Sequence, residues 1–158
     1  MRKECMYKVI PKRLLTLGFA AGFSLSTGIA TADGQIAVVT NDITIDPGEE
    51  FGATVVLNGD GRYDVYIGVV GGVLGEVIHA FDADGAFIPW DPEGPPPVKL
   101  RDNVDLASLS VNERIIPVLP RIPLDGFAGT YMFYAALTPP GELDFQEQYL
   151  DALQVEIK

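Results

Sequence analysis

"GTYMFYAALTPPG", residues 129–141, decides the fold. From Tyr131 onward every second side chain falls on one face: Tyr131, Phe133, Ala135 and Leu137 point one way, Met132, Tyr134, Ala136 and Thr138 the other. Both sets are apolar, the pattern of a strand in mid-sheet, and Pro139-Pro140-Gly141 stops it.

The same period of two recurs in both directions along the chain. In "EEFGATVVLNG" it aligns Phe51, Ala53, Val55 and Leu57, and in "RYDVYIGVVGG" it aligns Val65, Ile67 and Val69. Between them Asn58-Gly59-Asp60-Gly61 supplies positive φ cheaply and predicts a hairpin or a tight strand-to-strand corner. "GEVIHAFDADGAFIPW" holds two short strands around Asp82-Ala83-Asp84-Gly85. "GQIAVVTNDITI" contains an early strand, and "YLDALQVEIK" aligns Leu153, Val155 and Ile157. "RIIPVLPRIPL" is a strand whose Pro117, Pro120 and Pro123 cannot donate to a ladder, which places it at an edge. About eight short strands between turn residues predict an all-β, antiparallel two-sheet sandwich.

The run "LDGFAGTYMF" resembles the corner strand of immunoglobulin-like and fibronectin type III-like domains. In those domains a tyrosine hydroxyl bonds back to the backbone just upstream, and here Tyr131 is that tyrosine. Phe133 falls where an antibody domain has its second cysteine, so a true antibody-type domain is excluded. The order "DVYIGVV", an acidic proline-rich middle, then "GTYMFYAALTPPG" is similar to uncharacterised sandwich domains of secreted bacterial proteins, and the resemblance implies fold and location only.

The chain opens with Arg2, Lys3, Lys8, Lys12 and Arg13 against Glu4, and Leu14 through Ala32 is uncharged. A positive region, an apolar stretch and the small-residue ending Ala30-Thr31-Ala32 make a secretory signal peptide, with cleavage after Ala32 or Ala30. Its Gly, Ser and Thr content argues against a retained anchor, although the run approaches the ~20 residues that span a bilayer. Cys5 precedes the apolar stretch and so is not placed as a lipidated cysteine. Residues 33–158 are then one exported domain, periplasmic or extracellular, free of the membrane and without cysteine.

Of 22 acidic and 11 basic residues the leader takes one and five, leaving 21 against 6, a net of −15. Nucleic acid is therefore excluded as a partner, since it is bound through Lys and Arg.

The search for catalytic chemistry is negative. No phosphate-binding loop, H-E-x-x-H or G-x-S-x-G is present, and Gly71-Gly72-Val73-Leu74-Gly75 lacks dinucleotide-loop spacing and reads as a flexible turn. His79 reads as a half-buried or edge imidazole, since a triad would have to recruit Ser108 or Ser110, the only serines of residues 33–158, from a distant loop. No catalytic residue and no cofactor are expected, calcium aside.

In the usual sandwich order the loops "NGDGRYD", "DADG" and "TPPGELDFQEQ" gather at one pole, bringing Asp60, Asp64, Asp82, Asp84, Glu142, Asp144 and Glu147 together. Flexible oxygen ligands suit Ca²⁺, with Asp60, Asp82, Asp84 and Asp144 as the candidate set; solvated turns explain the same composition.

Residues 89–112 carry five prolines in nine positions and read as a stiff crossover between the sheets, with Trp90 at the rim and a short helical turn within 103–109. Two functions fit. The first is a non-catalytic exported sandwich for protein interaction or a structural role. The second is a carbohydrate-binding module with Trp90, Tyr66 and Tyr134 as an aromatic strip, which requires their sheet face to be uncovered.

Overall fold

The computed structural model describes residues 33–158, so the expected signal peptide at 1–32 lies outside the described residues. The strands are β1 (Gln35–Thr40), β2 (Thr44–Ile45), β3 (Glu50–Asn58), β4 (Arg62–Gly71), β5 (Ile78–Phe81), β6 (Phe87–Trp90), β7 (Arg101–Asp105), β8 (Ile115–Pro123), β9 (Gly129–Thr138) and β10 (Leu150–Ile157). Among the described residues the helical pieces are the 3₁₀ turns Gly72–Leu74, Leu106–Ser108 and Glu147–Tyr149. No helix among these residues is long and apolar enough to cross a membrane.

The fold is all-β, with two sheets arranged as a sandwich. The small sheet runs β1-β3-β8, and the large one β2-β10-β9-β4-β5-β6 with β7 paired to the first half of β4. β9 lies between β10 and β4, in mid-sheet as its sequence predicts. Its Tyr131, Phe133, Ala135 and Leu137 are buried and face Phe51, Ala53, Val55 and Leu57 of β3. Phe51 and Phe133 meet across the sheets with ring centroids 5.7 Å apart. Full burial of such a side chain stabilises by roughly 1.5–3 kcal/mol, and the core repeats this contact along both inner faces.

Two strands were not legible in the sequence. β2 is a two-residue parallel partner of β10 (Ile45↔Ile157), too short to show a period. β7 pairs Arg62↔Asp105, Tyr63↔Val104 and Val65↔Arg101 around a register shift, and "RDNVD" carries almost no apolar pattern. Residues 89–112 do lead from the large sheet to the small one, but the crossing lies in their last part and not in the prolines. The proline-rich stretch keeps the chain on the large sheet as far as β7, and the crossing to β8 follows the 3₁₀ turn Leu106–Ser108. Asn58-Gly59-Asp60-Gly61 is a corner between sheets, since β3 and β4 belong to different ones.

The Tyr131 hydroxyl donates to the Phe127 carbonyl at 2.8 Å and accepts from the Val73 N–H at 3.2 Å. This bond back to the backbone fixes the glycine-rich turn. Gly72 has φ +52°, and a Cβ on it would run into the Tyr131 ring. The run Gly71–Gly75 is therefore a close-fitting cradle and not a loose turn, closed by the Gly71 N–H on the Gly75 carbonyl at 2.9 Å.

The borders of the sheets are distinctive. β8 is an edge strand carrying Pro117, Pro120 and Pro123, and β6, the far edge of the large sheet, carries Pro89. On β1 the Val38 N–H donates to the Asp151 carboxylate of β10 at 2.8 Å, tying the two sheets together.

Candidate interaction face

Because the odd-numbered residues of β4 and β9 fill the core, their even-numbered residues make the opposite face of the large sheet. Register sets this face out in rows. Ala152, Tyr134 and Gly68 lie side by side, continuing to Ala80 and Ile88. The next row runs Gln154, Met132, Val70, and beyond it Ile78 pairs with Trp90. No charged side chain stands in these two rows, whose polar groups are the Gln154 amide, the Tyr134 hydroxyl and the Trp90 indole N–H.

No Lys or Arg lies on β5, β6, β9 or β10, and the one on β4 is its first residue, Arg62. Of the 21 acidic residues at 33–158, the great majority sit in turns and at strand ends. Ile88 and Leu150 are 37% and 39% exposed and Tyr134, Met132, Val70, Ile78 and Trp90 are half-buried, while Ala80, Ala136 and Tyr66 of the same face are buried beneath other parts of the chain.

At one end this face runs into a polar wall built around Asp64. Its side chain is fully buried, and it lies level with Thr138 on the same face as Tyr66. Oδ1 accepts from the Asn103 N–H and Oδ2 from the Gly141 N–H, each at 2.8 Å, and Lys99 Nζ is 2.8 Å from Oδ2. Burial pushes this carboxyl up; the Lys99 hydrogen bond and the two backbone donors outweigh it and hold it below the ordinary carboxylate value. Lys99 also bonds Asp102, which with Asp64 raises its ammonium above the ordinary lysine value. Asn103 has φ +48°, the one positive value outside glycine among the described residues, and that turn delivers its N–H to Asp64. Three chain segments, β4, the start of β7 and the β9–β10 loop, are thereby pinned on one carboxylate.

The sequence-derived site residues take these places. Tyr66 is buried and packs perpendicular to Phe145 of the β9–β10 loop, centroids 5.6 Å apart; burial pushes its phenol up. Tyr134 and Trp90 share its face of the sheet, and the Trp90 indole N–H donates to the Pro95 carbonyl at 3.1 Å. The three rings thus occupy one face, but Tyr66 lies beneath Phe145 and not in an open strip. His79 stacks on Phe87 at 4.5 Å, which in turn packs against Phe81.

The loops holding Asp60, Asp82, Asp84 and Asp144 extend toward the same end of the large sheet, because β5 and β9 both run antiparallel to β4. Their carboxylates have local roles. Asp82 Oδ1 accepts from the Asp84 and Ala86 N–H groups at 2.9 and 2.8 Å, closing the β5–β6 turn. Asp144 accepts from the Gln146 amide at 2.6 Å, and Asp60 and Asp84 are exposed. Among the described residues no three His, Cys, Asp or Glu side chains are gathered as a metal site. Asp64, which the loop argument counted among the crowded acids, is matched with Lys99.

Sequence reasoning missed the breadth of the apolar face. It took two apolar sides on β9 as the mark of a mid-sheet strand, but neighbouring strands cover a strand's edges and only another layer covers its faces. Two shallow clefts, of about 180 Å³ beside Asp46 and Leu124 and about 260 Å³ beside Arg101 and Leu109, are smaller than a typical ligand pocket.

The residues described define an all-β, sandwich-like protein with one extended apolar sheet face. No family model, no curated protein and no solved structure matches the chain.

Proposed function

We propose that this is an exported, non-catalytic, immunoglobulin-like sandwich that serves as a protein-interaction module through the outer face of its large sheet. The observation that carries the reading is the uncharged apolar surface crossing β10, β9, β4, β5 and β6 in a domain of net charge −15. Contiguous apolar patches of this kind on otherwise charged surfaces mark interaction sites. The immunoglobulin-like assignment is supported by the division β1-β3-β8 against β10-β9-β4-β5 and by the Tyr131–Phe127 bond. Export is supported by the composition of residues 1–32.

The protein reading ranks above the carbohydrate one because a sugar-stacking strip needs all three rings open, and Phe145 stands against Tyr66. A photo-crosslinking residue placed at Ile88 is expected to yield discrete protein adducts in exporting cells, and one at Val39, on the small sheet, none. Equal adducts from both positions, or none from Ile88, would end this reading. Retardation by polysaccharides in affinity electrophoresis would transfer support to the carbohydrate-binding alternative.

A further inference from the structure

The occupant of this face can be narrowed, on the basis of the interaction reading above. A sheet border can recruit a partner's strand, but β6 offers Pro89 and β8 offers Pro117, Pro120 and Pro123, which supply no N–H. What stays partly open is a face, around Tyr134, Ile78, Ile88 and Trp90, and the layers that cover a sheet face are another sheet or a helix. A second copy of this chain would supply the sheet. It would also bring a second net charge of −15 and a rim of the same sign: Glu76 precedes β5, Asp82 and Asp84 turn it into β6, and Asp91 and Glu93 follow.

The β9–β10 loop, at the same end of the sheet as the Asp82–Asp84 turn, adds Glu142, Asp144 and Glu147. The nearest cation at the wall, Lys99, is committed to Asp64 and Asp102. Like-charged rims oppose self-pairing, and an uncharged centre inside an acidic rim fits a partner with an apolar stripe between rows of cations.

Size agrees. Five strands at about 4.8 Å spacing span roughly 20–24 Å, the length of an α-helix of about fifteen residues at 1.5 Å rise. We infer that the large sheet receives an amphipathic helix of a partner protein, its apolar side on Tyr134, Ile78, Ile88 and Trp90 and its flanking lysines or arginines on the acidic rim.

Trp90 is the sole tryptophan of the chain and stands on this face, so its fluorescence reports occupancy. The probes are two synthetic fourteen-residue amphipathic helices, one of leucine and lysine, the other with every lysine replaced by glutamate. The lysine peptide should give a saturable blue shift of Trp90 emission, weakened at least about tenfold from 50 mM to 500 mM NaCl as screening shortens the reach of the rim. The glutamate peptide should give none.

Ile88→Asp should weaken the lysine peptide at least about tenfold, as putting a charge into an apolar contact does, while Val39→Asp, adding the same charge on the small sheet, leaves binding within about twofold; circular dichroism melts of both variants check folding. Equal binding of the two peptides, an equal loss in Val39→Asp, or a wild-type dimer that Ile88→Asp dissociates would overturn the inference. Adducts from a crosslinker at Ile88 without binding of the lysine peptide would remove the helix and keep the interaction module. No adducts would remove both.

Discussion

The carboxylate of Asp64 accepts a 2.8 Å hydrogen bond from the backbone N–H of Gly141, 77 residues further along the chain. The same side chain takes the Asn103 N–H and pairs with Lys99, so its loss orphans two backbone donors at once. Asp64→Asn leaves an acceptor for one of them and sets an N–H donor against the other. A destabilisation of roughly 2–4 kcal/mol is expected, read as a lowered urea midpoint at unchanged slope. A midpoint within error of wild type would show that the three segments are held independently of this residue.

The pH dependence follows from the direction of the Asp64 shift. Its folded value lies below the ordinary 3.8, so its stabilisation is present well above 3.8 and is lost as pH falls through the folded value. Lys99, raised above its ordinary 10.5, acts in the opposite sense: its contribution is present below 10.5 and disappears as pH rises past the folded value. Urea midpoints should therefore fall more steeply below about pH 4 in wild type than in Asp64→Asn. Parallel curves for the two proteins would assign the acid limb to other carboxylates.

The inter-sheet contact sets a third expectation. Phe133 is 5% exposed and meets Phe51 across the sandwich, so Phe133→Ala should cost about 3–5 kcal/mol. Phe127, 44% exposed, should lose less than about 1 kcal/mol on truncation, since its carbonyl and not its ring receives Tyr131. Urea melts of the two variants make the comparison, and similar midpoints would reverse the assignment of inside and outside.

Gly72 and Gly48 separate two costs of adding a methyl group. Both have positive φ, +52° and +86°, but a Cβ at Gly48 meets nothing within 4 Å while one at Gly72 enters the Tyr131 ring. Gly48→Ala should cost roughly 1 kcal/mol of stability through added backbone strain; Gly72→Ala should cost at least about 2 kcal/mol more. Differential scanning calorimetry of both would show whether the cradle is as close as its geometry states.

Calcium provides the fifth test. Asp82 and Asp144 are engaged within their own turns, and Asp60 and Asp84 face solvent. The melting temperature should be the same in millimolar Ca²⁺ and in EDTA. A rise of several degrees with Ca²⁺ would restore the four aspartates as a ligand set.

The strands that face the core on one side announced themselves through a period of two, and β9 was legible down to the Tyr131 hydroxyl because Tyr131 stands two residues before Phe133 in a recognisable corner. β7 was illegible because its place is set by Asp64 and by Asn103 at φ +48°, a long-range bond and a backbone state that carry no periodic trace. The Tyr66 side of the sheet was read in part. Sequence placed Tyr66 and Tyr134 together on the right face, but the burial of Tyr66 depends on where Phe145 lands, and that is set by Asp64 holding Gly141. Strand-to-strand relations are written locally, while loop-to-face relations depend on contacts between distant parts of the chain.

The prolines at Pro89, Pro117, Pro120 and Pro123, the tie from Val38 to Asp151 and the brevity of β2 make β6, β8, β1 and β2 poor templates for another copy. Edge-to-edge pairing of two molecules would lack donors along these borders, so the proposed face would stay accessible even where molecules are crowded.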